Sequence, residues 1–455
     1  MKSLLKLFAV GCLLGASRFS AQPDLYYIQI PWKSSAQVQE LVDRGFDVAG
    51  VNYETNQIAI VTDEVGVSQL RQGKGAEYAR SQFMVTTAAA GAGYKHPDDI
   101  KGALDQIEND FPNLARVQNI GKSGDGRDIY AIQITDFLFI PKDEKSTVLF
   151  DAMHHARELM SPEVAIDIAQ QLTSLYATDA QVRSWLKSTE IWVVPMVNPD
   201  GNDRVWTQDA GWRKNTRGGY GVDNNRNYPF DWGACMGSSM DRDAENYRGP
   251  SAGSEPETQA LMKLAKDIQP VAGISYHSAS EMVLYPYGCS NRQMASAPKA
   301  VFTSIASTMA SKLVRDSGMG TYVYGTPPQL LYNADGGSMD WMYAQLGMIA
   351  FAIEISSLSQ GFQPSYKQWR DSTVKRQRPG WRYLLERVQA GSIRARAATG
   401  TTVTVSLTNG TVAQKRKADS KGWAHFIVPA GNYKVSDGTT SKDITVADKR
   451  VSFSF

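Results

Sequence analysis

The sequence predicts an α/β protein with a central mixed, mostly parallel sheet covered by helices on both faces. A small N-terminal α+β module and a small C-terminal all-β module flank it. Three observations lead there. Near-continuous apolar runs in the middle of the chain read as strands buried on both faces. Stretches of helical period separate them. The texture changes at both ends of the chain.

The strand candidates of the central part, residues 94–390, are 147–150, 191–197, 271–276 and 348–355. The helix candidates are 162–175, 255–267 and 298–313. Ahead of this part, residues 22–85 form the α+β module. It has strands at 25–30, 46–48 and 57–61, a helix at 36–44 with Val38, Leu41 and Val42 on one face, and a helix near 66–70. A run of small residues at 86–93 reads as a linker. Beyond the central part, residues 397–455 alternate with period two. Asn409-Gly410, Pro429-Ala430-Gly431 and Asp437-Gly438 punctuate them, as in a small β-sandwich-like module.

A chain of 455 residues carries two or three domains around a sizeable core. Its net charge of +2 and the lack of a basic stripe argue against a nucleic-acid partner. Residues 1–21 read as a secretory signal: Lys2 and Lys6 precede the apolar stretch 4–14, and cleavage falls after Ala21. An alternative lipid-attachment box at Ala9-Val10-Gly11-Cys12 lies very early in that stretch. No later run approaches the ~20 apolar residues of a membrane helix. A secreted or cell-surface location follows as the expectation, with the periplasm as a variant. With Cys12 in the signal, Cys235 and Cys289 remain, either as one bridge or as two thiols.

The chain has five histidines. His96 and His425 lie outside the central sheet. His155 and Glu158 follow a strand at i, i+3 spacing, so both can reach one ion from one face of a helical turn. His154 points away from its neighbour and reads as structural. His277 ends an apolar strand, where open α/β sheets bind ligands, and can supply a third ligand. Glu354 interrupts the most apolar strand, and a buried carboxylate there needs a partner or a task such as general base. Arg213 and the pair Asn225-Arg226 lie in polar loops. A guanidinium fork is suited to reading a carboxylate.

These segments occur in a fixed order. They are His155-Ala156-Arg157-Glu158, Asn198-Pro199-Asp200-Gly201, Trp212-Arg213-Lys214, Gly221-Val222-Asp223-x-Asn225-Arg226-Asn227, Tyr247-Arg248-Gly249-Pro250, Tyr276-His277-Ser278, Leu284-Tyr285-Pro286-Tyr287-Gly288, Tyr332-Asn333-Ala334-x-Gly336-Gly337-Ser338-x-Asp340-Trp341 and Phe351-x-x-Glu354. Together they resemble the zinc metallocarboxypeptidases, which include the pancreatic carboxypeptidases A and B. The resemblance implies one zinc ion on His155, Glu158 and His277, and Glu354 as general base and proton donor. It implies that Arg213 stabilises the oxyanion, and that Arg226 clamps the terminal carboxylate with Asn225 and Tyr332. Arg157 would meet substrate further upstream. The terminal side chain would enter a pocket at Ala334 and Met339. An acid at the position of Met339 goes with basic preference in the family, so Met339 implies an apolar or aromatic terminal residue. Asp335 nearby leaves mixed preference open, and Ala279 stands where the family often has an aromatic residue.

The implied substrates are peptide and protein C-termini. The N-terminal module resembles a propeptide released by an activating protease at basic sites such as Lys74, Arg80 or Lys95; the alternative is a permanent accessory domain. The C-terminal module resembles transthyretin-like appendages. Two competing functions are an inactive binding protein on the same fold and a zinc hydrolase of another acyl bond. The full residue set opposes the first and the Asn225-Arg226 pair the second.

Overall fold

The computed structural model describes residues 25–72, 79–81, 93–139 and 145–455. The signal, Lys74 and most of the small-residue linker lie outside them.

The N-terminal module comprises β1 (Tyr26–Pro31), α1 (Ser35–Asp43), β2 (Asp47–Asn52), β3 (Gln57–Thr62), α2 (Glu64–Gln72) and β4 (Ala79–Ser81). Its strands form an antiparallel sheet in the order β2-β3-β1-β4. Ser34 starts α1 by accepting the Gln37 amide at 3.3 Å. Val38 and Leu41 turn the helix onto the sheet.

In the central part, α3 (Pro97–Asp110) opens with a capping box between His96 and Asp99. The hairpin β5 (Ala115–Lys122) and β6 (Asp128–Ile134) follows, then β7 (Ser146–Ala152), α4 (Met160–Ser174), α5 (Ala180–Ser188), β8 (Thr189–Val194) and α6 (Pro199–Thr207). The remainder is α7 (Pro256–Ile268), β9 (Ala272–Ser278), β10 (Met282–Leu284), α8 (Ser296–Lys312), β11 (Val323–Gly325), α9 (Pro327–Leu330), α10 (Ser338–Leu346), β12 (Ile349–Ile355) and α11 (Tyr366–Gln389). Eight strands form one twisted sheet in the order β11-β10-β12-β9-β7-β8-β6-β5. Its centre, β12-β9-β7-β8, is parallel, and antiparallel pairs join the outer strands β10 and β6 to it. Alternate residues of these strands enter two cores. Val148, Phe150, Ile274 and Phe351 pack with α4, α8 and α11. Leu149, Trp192 and Ala350 pack with α7 and α10 on the other side.

The β-module contains β13 (Ser392–Arg396), β14 (Thr402–Leu407), β15 (Val412–Lys417), β16 (Trp423–Ile427), β17 (Gly431–Ser436), β18 (Ser441–Val446) and β19 (Val451–Ser454). Sheets of three and four strands enclose Ile393, Val403, Val405, Phe426 and Val435. Arg416 ties the module to the central part by donating to the carbonyls of Gly347, Gln269 and Pro270 at 2.8–3.1 Å.

Cys235 and Cys289 form a disulfide, which decides between the two alternatives. Among the described residues, no helix is long and apolar enough to cross a membrane.

Candidate metal centre and substrate cleft

The cleft lies at the C-terminal ends of the parallel strands, where their carbonyls and the following loops leave a crevice. Beyond β7, the chain turns at Met153 with φ of 58° and presents His155. Asn198 holds this turn, donating to the carbonyls of His154 and Lys214 at 3.0 and 3.1 Å. Asn198 also caps α6 by accepting the Gly201 amide at 3.0 Å. Asn202, one turn on, donates to the Ala156 carbonyl at 3.0 Å. The Asn-Pro-Asp-Gly block therefore shapes the loop that carries His155 and Glu158.

His155 and Glu158 meet His277 from β9, all three buried. The Nδ1 atoms of His155 and His277 face each other at 3.2 Å. His155 Nδ1 is 2.7 Å from Glu158 Oε1, and His277 Nδ1 is 3.2 Å from Glu158 Oε2. Four donors about 2.0 Å from an ion at tetrahedral angles stand roughly 3.3 Å apart. Two imidazole nitrogens and a carboxylate converging at such spacing, with the cleft open beside them, fit a zinc ion that keeps one position for a reactant. Burial alone would raise the Glu158 carboxyl, but His155 and His277 hold it well below the usual carboxylate range. Burial lowers His277, which favours the neutral ligand form.

Asp223 sits behind the centre. It caps the short turn Asn224–Arg226 by accepting the Asn225 amide at 2.9 Å. Its Oδ2 accepts from Arg213 Nε and Nη2 at 3.2 and 2.9 Å. Its Oδ1 lies 3.3 Å from His155 Nε2, though without a hydrogen-bonding angle, since that nitrogen has no hydrogen-bond partner. Burial opposes the charge on Asp223, but Arg213, His155 and Arg226 outweigh it and keep the carboxylate ionised.

Glu354 on β12 pairs in register with His277 on β9. It is half-buried rather than fully enclosed, on the cleft wall with Arg213, Arg226, Tyr332 and Met339. Burial and the Glu158 charge push its carboxyl well up, against Arg213 and Arg226. Arg226 is buried, its Nε on the Gly237 carbonyl at 3.0 Å and its Nη1 on the Asn225 carbonyl at 2.9 Å. Asn225 Oδ1 accepts the Ser338 amide at 2.9 Å. Leu284, Ala334, Met339 and Ala352 give the inner cleft an apolar lining, and Asp340 adds a buried carboxyl pushed up to about 7 by burial. Asp335 is not in that lining; its Oδ2 accepts the amides of Cys235 and Gly237 at 2.9 and 3.1 Å.

Arg157 lines the cleft, but in the full chain its guanidinium is already engaged. Its Nη1 and Nη2 are bound by Asp47 of the N-terminal module at 2.6 and 2.9 Å, and its guanidinium lies 4.1 Å from the Phe362 ring centre. Val48 and Ala49 enter the cleft beside it. Lys95 is likewise engaged, with Nζ 3.0 and 3.1 Å from the two oxygens of buried Glu163. Asp47 and Asp223 were not singled out from the sequence. Asp223 lies inside the Gly221–Asn227 block and was recoverable there; Asp47 carried no local signal.

His154 is turned away from the centre, with Nε2 2.9 Å from Tyr228 Oη. Burial, followed by His277 and His155, pushes it well below the usual imidazole range.

The pattern of one protein family, described as zinc carboxypeptidase, matches residues 100–376. A carboxypeptidase B of Rattus norvegicus is 30% identical over 344 residues, covering 71% of this chain and 79% of the relative. A zinc carboxypeptidase of Saccharothrix mutabilis subsp. capreolus is 31% identical over 297 residues, covering 63% of this chain and 66% of the relative, just under two thirds. Among solved structures, the carboxypeptidase A of Helicoverpa armigera superposes with a TM-score of 0.66 at 22% identity, over 80% of this chain and 96% of that one. At that identity the likeness concerns the fold.

Proposed function

The chain belongs to the zinc carboxypeptidase family, and from that premise we propose that it hydrolyses the last peptide bond of polypeptides, with one zinc ion on His155, Glu158 and His277. The carrying observation is the convergence of this ligand set with Glu354 and two buried arginines on one cleft. A bound zinc ion supplies Lewis acidity, lowering the pKa of water and polarising a carbonyl. Glu354 takes the proton of the attacking water and passes it to the leaving amine. Arg213, oriented by Asp223, donates to the oxyanion as charge develops there. Arg226 pairs with the terminal carboxylate, helped by Asn225 and Tyr332. An internal peptide bond offers no carboxylate and would leave that guanidinium buried and unpaired, so chain ends are selected.

The apolar inner cleft around Met339 supports a preference for apolar or aromatic terminal residues. Relatives named for both the A and B types match this chain, so the preference rests on the lining alone. The Asp47–Arg157 pair supports reading the N-terminal module as a covering segment whose removal opens the cleft. Export is supported by residues 1–21 and by the disulfide.

The test is to incubate the full chain, with and without mild trypsin treatment, with a peptide ending in Phe and with its amidated twin, and to weigh the products. Loss of Phe from the free acid alone, abolished by a zinc chelator, is the expected result. Cleavage of both peptides, or of neither by a zinc-loaded chain after trypsin, would overturn it.

A further inference from the structure

Behind the metal centre, on the side away from the cleft, lies a run of buried polar groups that the hydrolytic scheme does not use. Ser275 and His277 are two apart on β9, so both side chains project from the same sheet face. Asp151 pairs with Ser275 across the β7–β9 ladder. His154 follows Asp151 by three residues and stacks on His277, with ring planes 18° apart and centres 5.5 Å apart. Tyr228 closes the run against His154. All five residues are buried, so each polar atom among them needs a partner within the protein.

Proton positions follow from the distances. Ser275 Oγ lies 2.6 Å from Asp151 Oδ1; burial raises this carboxyl to about 7 against the Ser275 hydrogen bond, and above that pH, where Asp151 is ionised, the hydroxyl donates to it. Ser275 has a single proton, so toward other groups its oxygen can only accept. His277 Nε2 is 3.3 Å from that oxygen. The other polar group near His277 Nε2 is Asn225 Nδ2 at 3.4 Å. This amide is oriented by the Ser338 N–H on its Oδ1, so its NH2 faces the ring and cannot accept a proton. Ser275 Oγ is therefore the acceptor for a proton on His277 Nε2, which leaves the Nδ1 lone pair facing His155 and Glu158. His154 completes the run. Its Nε2 accepts from Tyr228 Oη, and its Nδ1–H points to Asp151 Oδ1 at 3.5 Å and Ser275 Oγ at 3.4 Å.

We propose that Asp151 and Ser275 are positioning residues for the metal: with His154 and Tyr228 behind them, they hold the His277 proton on Nε2 and present Nδ1 to zinc. The Asp223 carboxylate stands 3.3 Å from His155 Nε2 without a hydrogen-bonding angle, whereas His277 reaches a carboxylate at a remove, through a serine hydroxyl. The partner that fixes the tautomer of a ligating imidazole sets metal affinity, typically by 10–100-fold. This inference rests on the zinc-site reading but not on the identity of the substrate, and its test reads metal binding rather than peptide cleavage.

The full chain is stripped of metal, and zinc affinity is measured by competition with a chelating dye. Ser275→Ala is expected to weaken zinc binding by about 10–100-fold, and Ser275→Thr, which keeps a hydroxyl, to restore it. Asp151→Asn is expected to weaken it in the same direction. In the zinc-loaded parent labelled with 15N-histidine, His277 is expected to carry its proton on Nε2, with slow solvent exchange that Ser275→Ala accelerates. A cooperatively folded Ser275→Ala chain that binds zinc as tightly as the parent would overturn the proposal, as would a zinc-loaded parent with the His277 proton on Nδ1. Should Asp151→Asn fail to fold, the Ala/Thr pair at Ser275 still decides.

Discussion

At the scale of single residues, Glu354 sits between opposing charges. Burial and Glu158 raise its carboxyl well above the ordinary value, while Arg213 and Arg226 pull it down. A general base works only when deprotonated, so hydrolysis is expected to rise with pH on its acid limb. Glu354→Gln is expected to keep zinc and to lose about 10²–10⁴-fold in kcat. Zinc content and single-turnover rates on the same preparation check this; substantial retained turnover would remove Glu354 from the proton-transfer role. Arg226 carries the choice of chain ends. Arg226→Ala is expected to weaken binding of the free-acid peptide by about 2–5 kcal/mol and to leave the amidated peptide nearly unchanged. The ratio of kcat/KM for the two peptides is the readout, and an unchanged ratio would sink the clamp. The cleft residues were legible as types in an ordered pattern, because ligating and proton-transferring chemistry limits which side chains can serve. Asp151 and Ser275 were not, since their relation to His277 depends on pairing between β7 and β9, across 124 residues.

At the scale of elements, buried apolar segments were the legible ones. The helix expected at 162–175 is α4, Met160–Ser174, and the strand expected at 348–355 is β12, Ile349–Ile355. The strand expected at 191–197 stops at Val194, just before Pro195, which has no amide to donate to a ladder. Elements with weak apolar pattern were missed. β5 buries only the first of its eight residues, Ala115, and the 24-residue α11 carries Pro379 and Gly380 in its interior, which read as breakers. α7 was expected, but its internal charge was not assigned a cost. Glu257 lies in its first turn, fully buried, accepting the Gly124 amide at 2.9 Å and Asn215 Nδ2 at 3.2 Å. Burial, helped by Asp200, raises its carboxyl from 4.5 to about 7 against those hydrogen bonds. The folded chain thus holds this proton where the unfolded chain has released it. Below pH 4.5 both states are protonated and there is no penalty. Between about 4.5 and 7 stability falls with rising pH, and above 7 the penalty stays constant at about 3 kcal/mol. Glu257→Gln is expected to gain on the parent across that window and to hold the gain above it. Urea midpoints of the two chains from pH 4.5 to 8 read this directly; a gap independent of pH would mean that Glu257 is already ionised at the acid end.

At the scale of the whole molecule, the N-terminal module and the cleft are one packed unit. Tyr27 Oη donates to the Leu358 carbonyl at 2.7 Å, Tyr53 Oη to Leu330 at 2.6 Å and Ser35 Oγ to Gln329 at 3.0 Å. Gly50 passes so close to the loop after His277 that a Cβ there would stand 1.9 Å from Ser280 Oγ. None of these contacts is local in sequence, so the sequence could suggest a covering module without saying how it is held. An ion pair adds to them, Asp47 on Arg157, both shielded from solvent. With Asp47→Ala, Arg157 keeps the Gly211 carbonyl at 3.2 Å and the Phe362 ring but loses its carboxylate. Removing one partner of a buried ion pair costs about 3–5 kcal/mol, and here that cost falls on the covered state, because the open state exposes Arg157 to water. Asp47→Ala is therefore expected to let the full-length chain hydrolyse a free-acid peptide at least tenfold faster than the unprocessed parent, while the two are equal after trypsin has removed the module. A covering segment requires both results. If neither the substitution nor trypsin changes the rate, the module is a permanent accessory that leaves the cleft accessible, and the Asp47–Arg157 pair serves its attachment alone.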